Sequence, residues 1–65
     1  MSKAQFTAAE KQKAVERELA YRRRVYPRWI VAGKITDGFA AVQIAIMEEI
    51  ARDYAEQAWN ERLPL

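Results

Sequence analysis

The absence of cysteine and histidine from a chain of only 65 residues constrains its fold more than any other feature of the sequence. A single domain of this size buries little apolar surface, so small domains usually add disulfides, a structural metal or a second subunit. Without thiols and imidazoles, neither a disulfide framework nor a Cys/His zinc site can form. We therefore predict one domain over residues 1–65 that is stabilised by self-association.

The same absences limit the chemistry available to the chain. No imidazole base and no thiolate is present for general acid–base or nucleophilic catalysis. Glu48, Glu49 and Asp53 remain, but carboxylates with strongly shifted pKa values need burial or a dedicated partner. We interpret them as solvated or salt-bridged. The sequence therefore predicts a protein that is not an enzyme and that holds neither a metal nor a cofactor.

The distribution of apolar residues predicts a cytoplasmic protein. Residues 1–13 are polar and lack the apolar segment of a signal peptide. The longest uncharged run, residues 38–47, is about half of the ~20 residues that a membrane helix needs. We therefore expect no association with a membrane.

A capping box predicts the start of a first helix. The Thr7 hydroxyl can accept from the amide three residues on, while the Glu10 side chain reaches back to the cap. Apolar side chains at helical spacing then predict a helix over about 8–32. Its buried stripe comprises Val15, Leu19, Tyr26, Trp29 and Ile30. Because this stripe stays in phase across Pro27, we favour one helix kinked at the proline over two helices.

Turn chemistry then predicts a reversal of the chain and a second helix. Gly33 is typical of the residue after a helix end, and Thr36 followed by Asp37 is typical of a helix start. We predict a turn at 33–36, a helix over about 37–60 and a short tail. The large side chains of the second helix that we assign to the core or the dimer interface are Phe39, Val42, Ile46, Met47, Ile50 and Tyr54.

The apolar surface of the second helix is too wide for one neighbour. It covers an arc of roughly 200°, whereas one packed neighbour needs a stripe of about 100°. The first helix can cover one flank of this arc, and a symmetry mate would cover the other. We therefore predict an antiparallel two-helix hairpin that dimerises into a four-helix bundle.

Charge is divided between the two halves of the chain. Residues 1–34 carry nine Lys/Arg against three Asp/Glu, net +6, and residues 35–65 carry two against six, net −4. If the turn is centred between residues 34 and 35, the numbers of facing residues add to about 69. This register predicts that the run Arg22–Arg24 lies near Glu48 and Glu49.

Four residues are candidates for contact with a partner protein. Tyr21, Arg24 and Arg28 lie beside the buried stripe of the first helix, and Trp59 lies off the apolar arc of the second. Aromatic residues and arginine dominate binding hot spots. Two alternatives stay open: the first three residues could belong to the dimer interface, and Trp59 could pack on Phe6.

The arginine cluster allows a different function. Arg22–Arg24, interleaved with tyrosines, could bind the phosphates of a nucleic acid. The net charge of the whole chain is only +2, and acidic residues on the second helix can pair with the arginines. We therefore keep a basic nucleic-acid-binding accessory protein as the alternative to protein binding.

Two motifs carry a resemblance to a known group. The sequences RRVYPRWI at residues 23–30, followed by Gly33 and Thr36, and IAIMEEI at residues 44–50 resemble short proteins encoded by tailed phages and prophages of proteobacteria. The resemblance covers about residues 19–54 and implies an accessory phage protein. In size and predicted architecture the chain is also similar to phage anti-activators that bind a host quorum-sensing transcription factor. This likeness implies inhibition or modulation of a host protein in the host cytoplasm.

Overall fold

The structure is a hairpin of two long helices. The computed structural model describes residues 4–62, in which α1 (Ala8–Val31) and α2 (Asp37–Arg62) pack against each other. The prediction of an all-α hairpin is confirmed. α1 ends slightly earlier and α2 slightly later than the sequence indicated. The predicted tail at residues 63–65 lies outside the described residues.

α1 begins at the predicted capping box. The Glu10 amide donates to the Thr7 hydroxyl oxygen at 3.1 Å, and the Thr7 amide donates to the Glu10 carboxylate at 2.9 Å. These bonds satisfy amides that have no acceptor within the helix. The bond from the Thr7 backbone, followed by the interaction with the Thr7 side chain, lowers the pKa of Glu10 because both favour the ionised carboxylate.

α1 passes through Pro27 without a break. Because proline has no amide hydrogen, the Arg23 carbonyl four residues earlier loses its usual helical donor. Tyr26 is buried directly before the proline, and its ring centroid lies 5.5 Å from that of Trp29. The prediction of one helix instead of two is confirmed, and the kink stays a prediction.

A glycine in the left-handed conformation ends α1. Gly33 has a φ of 75°, which residues with a Cβ adopt at a cost. Its amide donates to the Ile30 carbonyl at 3.0 Å, and the Lys34 amide donates to the Trp29 carbonyl at 2.8 Å, which together form a Schellman motif. The Phe39 amide then donates to the Thr36 hydroxyl at 3.1 Å and opens α2. Both predicted ends of the turn are confirmed.

The contact between the helices combines a few buried residues with larger, half-buried side chains. The buried residues of α1 are Ala8, Leu19 and Tyr26, and those of α2 are Ala40 and Ala58. Small side chains at a contact allow helix axes to approach closely. The half-buried members of the predicted core are Val15, Trp29, Ile30, Met47, Ile50 and Tyr54. The exposed members are Phe39, Val42 and Ile46, which are not core residues of a single chain because α2 turns the line through Ala40, Met47, Tyr54 and Ala58 toward α1.

Contacts between the helices fix their register. The Ala8 amide donates to the Glu61 carboxylate at 3.3 Å, and these residue numbers add to 69. Arg23 forms an ion pair with Glu48, whose numbers add to 71. The predicted register and the predicted nearness of the arginine run to Glu48 are both confirmed.

Candidate interaction surfaces

A strip of large apolar side chains on α2 is exposed. Phe39, Val42 and Ile46 keep 51%, 55% and 44% of their surface accessible. Their spacing of three and four residues places them in one line on the helix. Burying a side chain of this size contributes about 1.5–3 kcal/mol relative to leaving it in water. A single hairpin therefore leaves a substantial stabilising contribution unused.

A groove on one side of the helix pair distinguishes the two flanks of the hairpin, and so identifies the α1 residues that lie on the same flank as this strip. Ala20 and Arg23 of α1 line the groove together with Glu48 and Ala55 of α2. At about 100° per residue, the exposed strip of α2 projects from the flank opposite to the groove. Val25 and Trp29 of α1, both half-buried, project from that same opposite flank. We call Val25, Trp29, Phe39, Val42 and Ile46 together the apolar face.

The apolar face occupies only the half of the hairpin that is nearer the turn. Towards the open end, helical spacing places polar residues on the same side, among them Glu18, Asp53 and Gln57. Arg22 also lies on this side, and its Nε atom is 3.1 Å from the Glu18 carboxylate. The charge of Arg22 is thus compensated within α1.

A line of basic residues runs along the solvent-facing side of α1. Lys13, Arg17, Arg24 and Arg28 are exposed, and none of them forms an ion pair with another residue in the range 4–62. Tyr21 lies between them with 43% of its surface accessible. We call these five residues the basic line. Their spacings of four, four, three and four residues keep them on one side of the helix.

The structure brings three of the four predicted partner-binding residues together. Tyr21, Arg24 and Arg28 all belong to the basic line, and the Arg24 guanidinium carbon lies 5.5 Å from the centroid of the Tyr21 ring. A cation over an aromatic face is a favourable contact that holds both side chains. Lys13 and Arg17 were missed as members of this surface, although their spacing to Tyr21 in the sequence indicated it.

Trp59 lies elsewhere. The register places it opposite residues 10–12 of α1, so that Arg24 is roughly 20 Å away along the helix axis. Trp59 keeps 60% of its surface accessible and Phe6 keeps 58%. Phe6, which precedes α1, lines a cleft with Glu10, Lys11 and Ala14 of that helix. The alternative that Trp59 packs on Phe6 is therefore not confirmed.

The arginine run does not form one patch. Arg22 pairs with Glu18, Arg23 pairs with Glu48, and Arg24 lies over the Tyr21 ring. Consecutive residues of a helix project about 100° apart, so three neighbours cannot face one phosphate backbone. Of the three, Arg24 alone lies on the basic line.

Four of the eight residues that line the groove are charged, namely Glu16, Arg23, Glu48 and Arg52. The groove is an open depression of about 420 Å³ whose lining includes Leu19, Ala20 and Ala51. Within residues 4–62, no group of three or more acidic side chains is placed to hold a metal ion. Neither described helix is both long enough and apolar enough to cross a membrane.

Comparison with known proteins adds no family to this description. No protein-family model matches the chain, and no curated protein or solved structure is significantly similar to it. Any function assigned to the chain therefore depends on the surfaces described above.

Proposed function

We propose that this chain is a non-catalytic interaction protein that pairs with a second copy in a four-helix bundle and binds another protein through α1. The observation that carries the proposal is the exposed apolar strip of α2. Three large side chains in one line, left uncovered by a short domain without disulfides, favour burial against another copy. The proposed dimer would act in the cytoplasm.

The basic line is the proposed partner-binding surface. In a bundle that uses the apolar face as its interface, Tyr21, Arg24 and Arg28 stay on the outer side of α1 and remain accessible. Arg24 and Arg28 make no ion pair with residues 4–62, so their charges are free to meet acidic groups of a partner. A rigid tyrosine between arginines has the composition of a binding hot spot.

The likeness in size and predicted architecture to phage anti-activators favours a host protein as the partner. Phage anti-activators, to which the chain is similar in size and architecture, suggest a quorum-sensing transcriptional regulator as the first target to test. We propose inhibition or modulation of such a regulator as the activity of the chain.

A reporter experiment tests this target. The chain would be expressed in a proteobacterium that carries a reporter driven by a quorum-sensing regulator. Wild type should lower the reporter signal, and the double variant Arg24→Glu/Arg28→Glu should restore it because acidic groups of the partner are then repelled. The variant Arg52→Glu/Arg62→Glu changes the net charge equally but lies on α2, so it should still lower the signal.

Two outcomes would count against the proposal. An unchanged signal with wild type would exclude the regulator as the target. Equal activity of wild type and Arg24→Glu/Arg28→Glu would exclude these two residues as the binding surface.

Nucleic-acid binding is the second candidate, and the basic line is the observation that favours it. It presents four cations over 16 residues of one helix, although Arg22 and Arg23 are paired with carboxylates. Fluorescence anisotropy with labelled DNA and RNA tests it. Binding that weakens with salt, with a smaller salt dependence in Arg24→Gln/Arg28→Gln, would favour this function over the first.

A further inference from the structure

We infer that the two copies pair with their turns at the same end of the bundle, so that each α1 packs against α2 of the partner copy. This arrangement depends on the proposed dimer and specifies how its apolar faces meet. It follows from where the apolar residues lie along the hairpin and from the charges of the two helices.

Two-fold symmetry leaves two ways to join a pair of hairpins face to face. If the axis runs parallel to the helices, both turns lie at one end, and the two α1 helices occupy diagonal corners of the bundle. If the axis runs across the helices, the turns lie at opposite ends, and α1 packs against the α1 of the other copy. The two arrangements therefore differ in which helices are neighbours.

The position of the apolar face favours the first arrangement. Phe39, Val42 and Ile46 all lie in the first half of α2, next to the turn, whereas Asp53 and Gln57 follow on the same side. With the turns together, the apolar half of each copy covers the apolar half of the other. If the turns lay at opposite ends and the hairpins overlapped along their full length, the apolar half of each copy would cover the carboxylates and amides of the other. The desolvation of these groups is unfavourable.

The helix charges favour the same arrangement independently. α1 carries seven basic and three acidic residues, net +4, and α2 carries two basic and six acidic residues, net −4. With the turns together, every pair of neighbouring helices in the bundle is one α1 and one α2. With the turns at opposite ends, the helices of charge +4 are neighbours and so are those of charge −4. Like charges on neighbouring helices weaken association, and this effect is smaller than that of the apolar face because the cations of the basic line project to solvent.

Spin labels at two positions test the arrangement. The chain has no cysteine, so Lys34→Cys in the turn and Asn60→Cys near the open end each take one nitroxide per chain. Both residues are exposed, so the label displaces no packing. Because each chain carries a single label, every distance measured by pulsed electron–electron double resonance joins two copies.

The two labels must give different results in the two arrangements. Neighbouring helix axes lie about 8–10 Å apart, so with the turns together both label pairs should be separated by less than about 30 Å. The two positions are about 35 Å apart along the hairpin at 1.5 Å per residue. With the turns at opposite ends, the two separations along the axis add to at least twice that length. At least one label pair would then be about 35 Å or more apart, wherever the axis crosses.

The expected result is a short distance at both positions. A long distance at either position, in a protein of dimeric mass, would overturn the arrangement and leave the proposed dimer standing. A monomeric mass with no dipolar signal at either position would overturn the dimer itself, and the arrangement with it.

Discussion

Arg23 of α1 donates to the carboxylate of Glu48 on α2, and this ion pair joins the two helices near the middle of the hairpin. Both side chains are partly exposed, with 54% and 41% of their side-chain surface accessible. The pair therefore fixes how the helices are aligned more than it stabilises them, since exposed ion pairs contribute little.

A double-mutant cycle with Arg23→Ala and Glu48→Ala measures that contribution. We expect a coupling of about 0.2–1 kcal/mol in the free energy of unfolding, because solvent screens both charges. The coupling should fall as salt is raised. Urea denaturation of the four proteins gives the value. A coupling of several kcal/mol, or one that salt does not change, would contradict the description of the pair as exposed.

Glu10 makes the stability of the hairpin depend on pH. Its hydrogen bonds to Thr7 lower its pKa below the ordinary glutamate value of 4.5 in the folded state. A group with a lowered folded pKa contributes stability above its unfolded pKa, and that contribution is lost as pH falls through the folded pKa. Wild type should therefore lose more stability than Glu10→Gln below pH 4.5.

Thermal unfolding of wild type and Glu10→Gln between neutral and acidic pH tests this prediction. The two curves of melting temperature against pH should converge in acid, since the glutamine has no charge to lose. Parallel curves, or a Glu10 pKa at or above the ordinary value by nuclear magnetic resonance, would contradict the capping role of its ionised form.

Replacing each of the two glycines of the chain by alanine should have opposite effects on stability. Gly33 has a φ of 75°, so Gly33→Ala should destabilise the hairpin by about 1–2 kcal/mol although no atom obstructs the added Cβ. Gly38 lies in the first turn of α2, also with open space around it, so Gly38→Ala should stabilise by about 0.4–1 kcal/mol. Urea denaturation compares them directly. Equal effects of the two substitutions would contradict the left-handed conformation of Gly33.

Local signals predicted the hairpin because each depends on residues close together in the chain. The caps at Thr7 and Thr36 and the turn at Gly33 need only neighbours within four residues to form. It was harder to predict which side of α2 packs against α1, because the residues in line with Ala40 and those in line with Phe39 are both apolar. In the structure, Ala40 and Ala58 are buried whereas Phe39 is exposed, so the line through Ala40 faces α1.

The candidate partner-binding surface was likewise predictable within one helix but not between the two helices. Tyr21, Arg24 and Arg28 are close in one helix, so their spacing alone placed them on one side. Trp59 belongs to the other helix, and its distance from them depends on the register of the hairpin. The sequence alone does not give that distance. It therefore grouped four residues where the structure groups three.

The central claim is that the apolar strip of α2 is covered by a second copy. Ile46→Glu puts a charge in that strip, whereas Ala45→Glu puts the same charge on the neighbouring exposed residue, which projects about 100° away on the solvent-facing side of α2. Because an unpaired charge in an apolar interface is strongly unfavourable, Ile46→Glu should lose association and most of its stability. Ala45→Glu should behave as wild type.

Sedimentation equilibrium at micromolar concentration tests the claim most directly. We predict twice the 7.6 kDa chain mass for wild type and Ala45→Glu, and the mass of a single, largely unfolded chain for Ile46→Glu. A wild-type chain that sediments as a compact monomer and melts cooperatively, or an Ile46→Glu variant that stays a folded dimer, would contradict the account.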